Sequence, residues 1–347
     1  MNNNSIYIPP AIKFYSSFDE ALSADPEWDQ SFSFKEEKWE FKDLFTIPKT
    51  FIVAEPGSGK TRLLREIVLR ASNEGKKAIG VESKKIIEAT VDEFIQNQLK
   101  NASVVKSDGF ELKNEENIVI CFDALDEVQL EDFPRTVEKI KTFLAEYEKV
   151  TAIISCRWHF FKKHKELFGD LDFRYARIFP FSTEQVELYL KYNSISQENI
   201  EKIFKTLSFR GRDLVIQTPR YLELLVSFIK DKGIENISGI TKADLFEFFI
   251  YKKLEVEDKN LNTQKRDLIK RVLEKLALIM EIYQTNLLKK DELMSFFDDL
   301  QSDLKSSLLQ QVPFEVFYDK TVLKDNIDTI EFDNTEFQEY LAAKESL

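Results

Sequence analysis

A glycine-rich turn between an apolar run and a helical pattern limits the possible folds of this chain more than any other feature. The apolar run is Phe51–Val53, the turn covers Ala54–Thr61 and ends in Gly-Lys-Thr, and the helical pattern begins at Arg62. Glycine adopts left-handed backbone conformations at no steric cost, so Gly57 and Gly59 let backbone N–H groups close around phosphate oxygens. The N-terminus of the following helix attracts the same anion. The sequence therefore predicts a phosphate-binding loop between a strand and a helix of an α/β fold.

Two side chains of the turn have further predicted roles. We expect Lys60 to reach the β- and γ-phosphates of a nucleotide and the Thr61 hydroxyl to bind Mg²⁺, because this cation prefers oxygen ligands. Ala54 stands where the strict motif has glycine, and we expect alanine to be tolerated there. The alternative is a chance match on a surface turn. The nucleotide-binding residues predicted from this segment are Glu55, Pro56, Gly57, Ser58, Gly59, Lys60, Thr61 and Arg62.

An apolar run followed by several carboxylates gives a second, independent indication. Residues Asn117–Glu127 have the pattern of a buried parallel strand that ends in acidic residues. Ligands of open α/β sheets bind at the carboxyl ends of the strands. We therefore predict that Asp123 holds Mg²⁺, directly or through water, and that Asp126 or Glu127 orients the attacking water, with Glu127 preferred as the base. The alternative is a solvated acidic loop after a core strand.

Length and composition favour a globular protein of two or three compact units in a reducing compartment. The 347 residues are 43% hydrophobic and 32% charged, and no apolar run is long enough to cross a bilayer. The N-terminus lacks the basic start and the apolar core of a secretory signal. Cys121 and Cys156 both lie in apolar runs, which predicts neither a disulfide framework nor a metal site at cysteine. We expect a cytoplasmic protein without a membrane partner.

The overall charge limits the partners. A net charge of −12 argues against a broad nucleic-acid surface, because such a surface needs a basic field. Nucleic acid is therefore not indicated as a partner. The expected partners are a nucleotide and other proteins.

Apolar runs alternate with helical patterns up to about residue 181, and helical patterns dominate after it. The alternation predicts a parallel sheet with crossover helices. Ser182 and Gln185 have the spacing of a capping box at the start of the first later helix. Strands are predicted at Phe51–Val53, Ala78–Val81, Ile118–Phe122, Val150–Ser155, Ala176–Phe179 and, near the end, Ile327–Phe332. Helices are predicted at Thr183–Leu190, Ile200–Leu207, Tyr221–Lys230, Asp244–Val256, Gln264–Tyr283, Lys290–Leu300 and Thr335–Lys344.

Four segments resemble motifs of the NACHT family, a group of P-loop NTPases of the STAND class. Phe122–Glu127 is similar to the family's acidic motif, in which a small residue, here Ala124, follows the metal-linked Asp. Ile153–Arg157 is similar to its sensor strand. Gln217–Leu225 resembles the proline-led helix of its small helical domain. Phe332–Ala343 is similar to its winged-helix signature and matches it without a gap over the last seven residues.

The resemblance implies roles for three further residues. Arg157 would report on the γ-phosphate, a task that suits a planar guanidinium, although it could also be a surface arginine at a strand end. Pro219 would pack on the adenine, and its alternative is a proline that begins a helix. Asn334 stands where the family often has a histidine that touches the β-phosphate of ADP. Asparagine donates a hydrogen bond but no charge, and its alternative is the N-cap of the last helix.

The resemblance covers about residues 46–343 and implies three domains. We predict a lead-in over residues 1–45 that packs on the sheet edge, and a P-loop nucleotide-binding domain over residues 46–181. A small helical domain is expected over residues 182–240. A winged-helix domain with a C-terminal helix is expected over residues 241–347.

The function implied by the resemblance is a nucleotide-dependent switch in immune or antiviral defence signalling. ADP would hold a closed form, exchange for ATP would allow self-association, and slow Mg²⁺-dependent hydrolysis would reset the switch. We expect the effector and the sensor to lie outside this chain, as parts of a longer polypeptide or as separate proteins. The alternative is an AAA+-like mechanical ATPase that remodels protein or nucleic acid. A third possibility is a scaffold that binds nucleotide only for structure.

Overall fold

The structure, a computed structural model, describes two compact units. The described residues are 7–23, 39–86, 90–101, 112, 117–129, 131–168, 172–207, 214–257, 263–285, 288–293, 295–296, 323–325, 329–332 and 335–346. Unit 1 comprises Met1–Ile195 with Gln217–Arg220, and unit 2 comprises Ser196–Ile216 with Tyr221–Leu347. The domain boundaries expected at residues 45, 181 and 240 stay predictions.

Unit 1 contains a six-stranded sheet, and its strands along the chain are β1 (Ile12–Tyr15), β2 (Lys49–Ala54), β3 (Lys77–Glu82), β4 (Ile118–Asp123), β5 (Thr151–Arg157) and β6 (Arg174–Ile178). Their order across the sheet is β1-β6-β2-β5-β4-β3. Strands β2 to β6 pair in parallel, whereas β1 pairs antiparallel with β6 at the edge. The predicted α/β fold with a parallel sheet is confirmed, and the antiparallel edge strand adds to it.

The three central strands β2, β5 and β4 are buried on both faces, because helices cover both sides of the sheet. Successive residues of β2 alternate between two cores, with Phe51 and Val53 in one and Ile52 and Ala54 in the other. The helices of unit 1 are α1 (Phe18–Ser23), α2 (Phe41–Thr46), α3 (Lys60–Asn73), α4 (Val91–Asn101), α5 (Phe133–Glu146), α6 (Trp158–Lys163) and α7 (Thr183–Tyr192). Helices α4 and α5 contribute to the core of Phe51, and α2 and α3 contribute to the core of Ile52.

Short helical turns and a capping box complete the local structure of unit 1. Single 3₁₀ turns follow β3, β4 and α6, at Ser83–Lys85, Leu125–Glu127 and Lys165–Leu167. The predicted capping box of α7 is confirmed, because the Ser182 hydroxyl accepts a hydrogen bond from the Gln185 N–H and the Gln185 side chain accepts one from the Ser182 N–H.

Unit 2 is mainly helical and carries a small antiparallel sheet. Its helices are α8 (Gln197–Leu207), α10 (Pro219–Lys232, whose first two residues belong to unit 1), α11 (Lys242–Glu257), α12 (Thr263–Ile282) and α13 (Thr335–Glu345), while α9 (Leu214–Gln217) lies at the boundary. The sheet has the order β7-β9-β8, formed by Leu288–Lys289, Thr329–Phe332 and Leu323–Asp325. Helix α13 packs on α12. The helices predicted between residues 183 and 283 agree with these, and the one predicted at Lys290–Leu300 lies partly outside the described residues.

Candidate nucleotide-binding site

The sheet brings three predicted segments to one edge. Strand β5 lies between β2 and β4, and the last residue of β2, Ala54, pairs with Arg157, the last residue of β5. Asp123 ends β4 and pairs with Glu82 at the end of β3. The carboxyl ends of these parallel strands therefore meet, which is where open α/β sheets bind ligands. The glycine-rich loop, the acidic segment and Arg157 share this edge.

The loop after β2 has the backbone conformation that its glycines predict. Gly57 has φ 71° and Gly59 has φ 91°, both in the left-handed region. The Ser58 N–H donates to the Glu55 carbonyl over 3.3 Å, and Gly59 immediately precedes α3. A Cβ on Gly59 would meet no atom within 4 Å, so a side chain there would be opposed by backbone strain and not by a clash.

Lys60 folds its side chain over the loop. Its ammonium Nζ donates to the Ala54 carbonyl over 3.3 Å and to the Glu55 carbonyl over 3.2 Å. Burial lowers the pKa of Lys60, and the nearby Asp126 and Asp123 carboxylates oppose that shift. An anion in the loop would add its negative charge beside this buried ammonium and would stabilise the charged form.

The Ser58 side chain gives a direct test of whether the loop fits a phosphate. Ser58 is buried, and its hydroxyl has no hydrogen-bond partner. A buried hydroxyl without a partner costs free energy, and a phosphate oxygen would supply the missing acceptor. Together with the two left-handed glycines and the N-terminus of α3, this unfilled donor fits the phosphates of a nucleotide.

Two serines fix the acidic strand end. The Ser155 hydroxyl donates to Asp123 Oδ1 over 2.8 Å and accepts from the Ala124 N–H over 2.9 Å. The Ser83 hydroxyl donates to the Asp123 carbonyl over 2.7 Å. Ala124 has φ 51°, which disfavours branched side chains and explains why a small residue suits this position. Asp123 keeps its second carboxylate oxygen for another ligand.

Asp126 is committed to Arg157. Its Oδ1 accepts from the Arg157 backbone N–H over 2.9 Å, and its Oδ2 lies 2.8 Å from the Arg157 Nε. The Asp126 side chain is only 5% exposed. Because both oxygens already accept from Arg157, Asp126 is placed to position the guanidinium and not to take a proton from water.

Glu127 is more loosely held than its neighbour. Its Oε2 lies 3.8 Å from the Lys84 ammonium, beyond hydrogen-bond distance, and a third of its side chain is exposed. Burial raises the pKa of Glu127, and the Lys84 charge opposes that shift. This carboxylate therefore retains the capacity to bind and orient a water molecule.

Lys84 and the two serines were not predicted from the sequence. Lys84 follows β3, whose carboxyl end lies beside that of β4, so its place after a predicted strand is the only signal that could have identified it. Ser83 directly follows β3, and Ser155 is the third residue from the end of β5. Polar residues at several strand ends are thus the general signal for this edge.

The remaining predicted residues divide into three groups. Thr61 and Arg62 are exposed in the first turn of α3, and the Arg62 guanidinium lies 5.8 Å from the centre of the Tyr7 ring. Pro219 begins α10, and the next N–H, that of Arg220, donates to the Gly57 carbonyl over 3.2 Å, so the proline lies beside the phosphate loop. Asn334 lies outside the described residues.

The residues predicted to hold Mg²⁺ are Thr61 and Asp123, each of which offers a side-chain oxygen. Within the described part of the chain, no group of three or more His, Cys, Asp and Glu side chains is arranged to hold a metal ion. Nucleotide-bound Mg²⁺ commonly takes one or two protein oxygens and fills its other positions with water and phosphate, so the two-residue set fits.

No helix among the described residues is long and apolar enough to span a membrane.

Comparisons with known proteins find only distant structural matches. The chain matches no known protein family, and no curated protein matches it. The replication initiator DnaA bound to AMPPCP and single-stranded DNA is 16% identical, with 80% of this chain and 90% of that chain covered and a TM-score of 0.39. Cdc6p from Pyrobaculum aerophilum is 12% identical, with 94% and 98% covered and a TM-score of 0.38. The Orc1 protein from Aeropyrum pernix in complex with DNA is 14% identical, with 96% and 97% covered and a TM-score of 0.39.

These values limit what the comparisons carry. At such identities and TM-scores they assign neither activity nor partner to this chain, so the P-loop NTPase fold rests on the strand order and the phosphate loop described above. None of the three is described as a NACHT protein, and the resemblance to that family gains no support from them.

Proposed function

We propose that this chain is a Mg²⁺-dependent P-loop nucleoside triphosphatase that binds ATP. The observation that carries the proposal is the phosphate loop itself, with its left-handed glycines, the Lys60 ammonium folded over it and the unbonded Ser58 hydroxyl. This loop shares one sheet edge with Asp123 and Glu127. A phosphate cradle beside free carboxylate oxygens is the arrangement that phosphoryl transfer to water needs.

Binding is assigned to the loop and to the first turn of α3. The N–H groups of the loop, the Ser58 hydroxyl and Lys60 hold the phosphates, and Arg62 adds positive charge at the rim. Thr61 and Asp123 hold Mg²⁺, which when bound bridges phosphate oxygens and offsets their charge. Ser155 keeps Asp123 in place through its 2.8 Å hydrogen bond.

Hydrolysis is assigned to the acidic segment. Glu127 orients the attacking water and accepts its proton, a role that its uncommitted oxygens allow. Asp126 positions Arg157 through two contacts, and the Arg157 guanidinium stabilises the charge that develops on the γ-phosphate. This division of work between neighbouring carboxylates agrees with the preference for Glu127 as the base.

Contact with the adenine of the nucleotide is assigned to Pro219. Its position at the start of α10, one residue before the contact from Arg220 to the loop, is what supports this role. Asn334 remains a proposed contact to the β-phosphate of ADP, and its replacement by Ala should weaken ADP binding. Neither residue distinguishes ATP from GTP.

Two larger roles remain in competition. The NACHT-like switch, with self-association and defence signalling, rests on the sequence resemblance alone. The AAA+-like remodelling ATPase is the role that would agree with the replication initiators named above. Their TM-scores are below 0.5, so this agreement carries no weight as an argument. Two of those structures contain DNA, so the expectation that nucleic acid is not a partner needs a direct test.

One set of assays tests the proposal and separates the two roles. Phosphate release from ATP and GTP is measured with and without Mg²⁺, and again with single-stranded DNA added. Mg²⁺-dependent release is the expected result, and its absence with every nucleotide would overturn the proposal. Turnover stimulated by DNA would favour the remodelling ATPase, whereas tightly retained ADP with slow, unstimulated turnover would favour the switch.

A further inference from the structure

Unit 2 contains a carboxylate that is surrounded by donors from two other helices. Glu247 of α11 accepts through Oε1 from the Lys270 ammonium of α12. Its Oε2 accepts from the Tyr340 hydroxyl over 2.6 Å and from the Lys344 ammonium over 2.8 Å, and both of these residues lie on α13. One side chain therefore connects α11 with α12 and α13.

The same helix α13 also makes apolar contacts in unit 2. The Phe337 ring lies 5.1 Å from the ring of Phe246 and 5.2 Å from the ring of Phe249, both on α11. Leu341 and Ala342 are buried. These contacts explain the apolar positions of the Phe-Gln-Glu-Tyr-Leu-Ala-Ala segment as packing within unit 2.

A second polar contact joins α13 to α12. The Gln338 amide donates to Glu281 Oε1 over 2.8 Å and to the Thr285 carbonyl over 3.3 Å, and Gln338 is only 2% exposed. Helix α13 is thus attached by polar contacts at Gln338 and at Glu247, with apolar residues between them. Glu336, which accepts from the Tyr221 hydroxyl, and Glu345, which pairs with Lys275, add polar contacts at its two ends.

The anchor at Glu247 remains accessible to water. The side chain of Glu247 is 28% exposed and that of Lys344 is 40% exposed. A cleft of about 550 Å³ between α10 and α11 includes Glu247 in its lining. Water and salt can therefore compete for this carboxylate, and its charged partners regain hydration if the contact opens. Burial raises the pKa of Glu247, but hydrogen bonds from Lys270, Lys344 and Tyr340 together bring the pKa below its ordinary value, so the group is ionised near neutral pH.

Helix α13 depends on these contacts for its structure. It has 11 residues, and an isolated helix of that length is marginal in water. A docked helix held partly by solvated ion pairs opens at a lower cost than one held by apolar contacts alone. We propose that Glu247 is a polar latch, which holds α13 against α11 and α12 and whose opening releases α13 while the rest of unit 2 stays folded. The latch is independent of nucleotide binding and of the function proposed above.

Hydrogen exchange of the full chain, followed by mass spectrometry, tests the latch. In Glu247→Gln the neutral amide no longer holds the two ammonium groups, so the amides of residues 335–346 should exchange at least about tenfold faster, as expected when a partly buried ion pair loses its charge. Amides of α12 and of the unit 1 sheet should exchange as in the unaltered protein. Raising NaCl from about 50 mM to about 1 M should also speed exchange of α13 in the unaltered protein, and should do so much less in the variant.

A matched control removes a neighbouring ion pair that joins α12 to α13. Glu345→Gln breaks the contact between Glu345 and Lys275, which are 2.6 Å apart and more than a fifth exposed. Exchange of α13 should then change less than about threefold, because Glu345 holds a single cation at the last turn of the helix, whereas Glu247 holds three donors. Lys344→Met removes one donor and leaves Lys270 and Tyr340 on Glu247, so it should give an intermediate increase and serves in place of Glu247→Gln if that variant does not fold.

Two results would overturn the latch. One is unchanged exchange of α13 in both Glu247→Gln and Lys344→Met. The other is faster exchange of α10, α11, α12 and α13 together, because unit 2 would then open as a whole and Glu247 would contribute to general stability only.

Discussion

The acidic strand end of unit 1 and the cluster around Glu247 in unit 2 both place carboxylates among cations, but they leave different bonding capacity. Glu247 accepts from three side chains, and Asp126 accepts twice from Arg157. Among the described residues, Glu127 accepts no hydrogen bond, and its closest cation is the Lys84 ammonium at 3.8 Å. A carboxylate whose oxygens are filled holds structure together, whereas one with free oxygens can bind water. The number of donors on each carboxylate therefore separates a structural role from a chemical one.

The largest effect is expected where the free carboxylate is removed. Glu127→Gln should lower ATP turnover by about 10²–10⁴-fold, the usual contribution of a general base, while nucleotide affinity stays close to that of the unaltered protein and stability does not fall. Single-turnover hydrolysis with a parallel binding titration measures both quantities. Equal turnover by the variant and the unaltered protein would remove Glu127 from the chemistry.

The filled carboxylate beside it should behave in the opposite way. Asp126→Asn removes the carboxylate charge that pairs with the largely buried Arg157 guanidinium, so the free energy of unfolding should fall by about 3 kcal/mol or more. Urea unfolding of the variant and of Glu127→Gln makes the comparison. If the two variants lost the same stability, the distinction between filled and free carboxylates would not hold.

A smaller loss is expected when the support of Asp123 is removed. Ser155→Ala leaves the Ala124 N–H without its acceptor and should cost about 1–3 kcal/mol of stability. It should also raise the Mg²⁺ concentration needed for half-maximal turnover. Thr50→Val is the control, because the Thr50 hydroxyl is equally buried but has no hydrogen-bond partner, so its loss should be nearly neutral. An unchanged Mg²⁺ requirement in Ser155→Ala would show that Ser155 does not position the metal ligand.

The smallest effect concerns the pH dependence of Glu127. Burial raises the pKa of Glu127 and Lys84 opposes the shift, so in Lys84→Met the pKa should rise further. The acidic limb of the pH–rate profile should then move to higher pH, because the base must be ionised. Lys85→Met is the control, since Lys85 pairs with Glu82 and not with Glu127. A profile that moves equally in both variants would mean that general charge and not the Lys84 contact sets this pKa.

The same group makes a signed prediction for stability. A folded-state pKa above the unfolded value means that protonated Glu127 favours the folded state. The corresponding stability is present below the unfolded pKa and is lost as the pH rises through the raised pKa. Glu127→Gln should lack this loss, and urea unfolding across that pH range measures it.

The strands of unit 1 could be predicted because parallel strands buried on both faces are continuous apolar runs. The edge strand β1 could not be predicted, since Ile12–Tyr15 has only four residues and lies in a segment without a regular hydrophobic pattern. The order of the strands across the sheet could also not be predicted from the sequence. That order brings Arg157 to Asp126, which is 31 residues away, and thereby decides which of two adjacent carboxylates remains free.

The phosphate loop could be predicted because its conformation depends on residues within the loop. Its surroundings could not, because they depend on contacts between residues that are distant in sequence. The glycines need left-handed backbone, and Gly57 and Gly59 have it. The contacts from Ser155, Lys84 and Arg220 to this region depend on elements that are distant in sequence. Asn334 lies outside the described residues, so its two alternatives stay open.

The most direct test of the central claim is Mg²⁺-dependent binding of a fluorescent ATP analogue to the unaltered protein and to Lys60→Ala. The account predicts saturable binding to the unaltered protein and an affinity at least about tenfold weaker in the variant, because the loss of a charged donor to phosphate removes about 1.5–3 kcal/mol. Thermal unfolding should show that the variant remains folded. Equal affinity of the two proteins, or no binding to the unaltered protein, would contradict the claim that this loop holds a nucleotide.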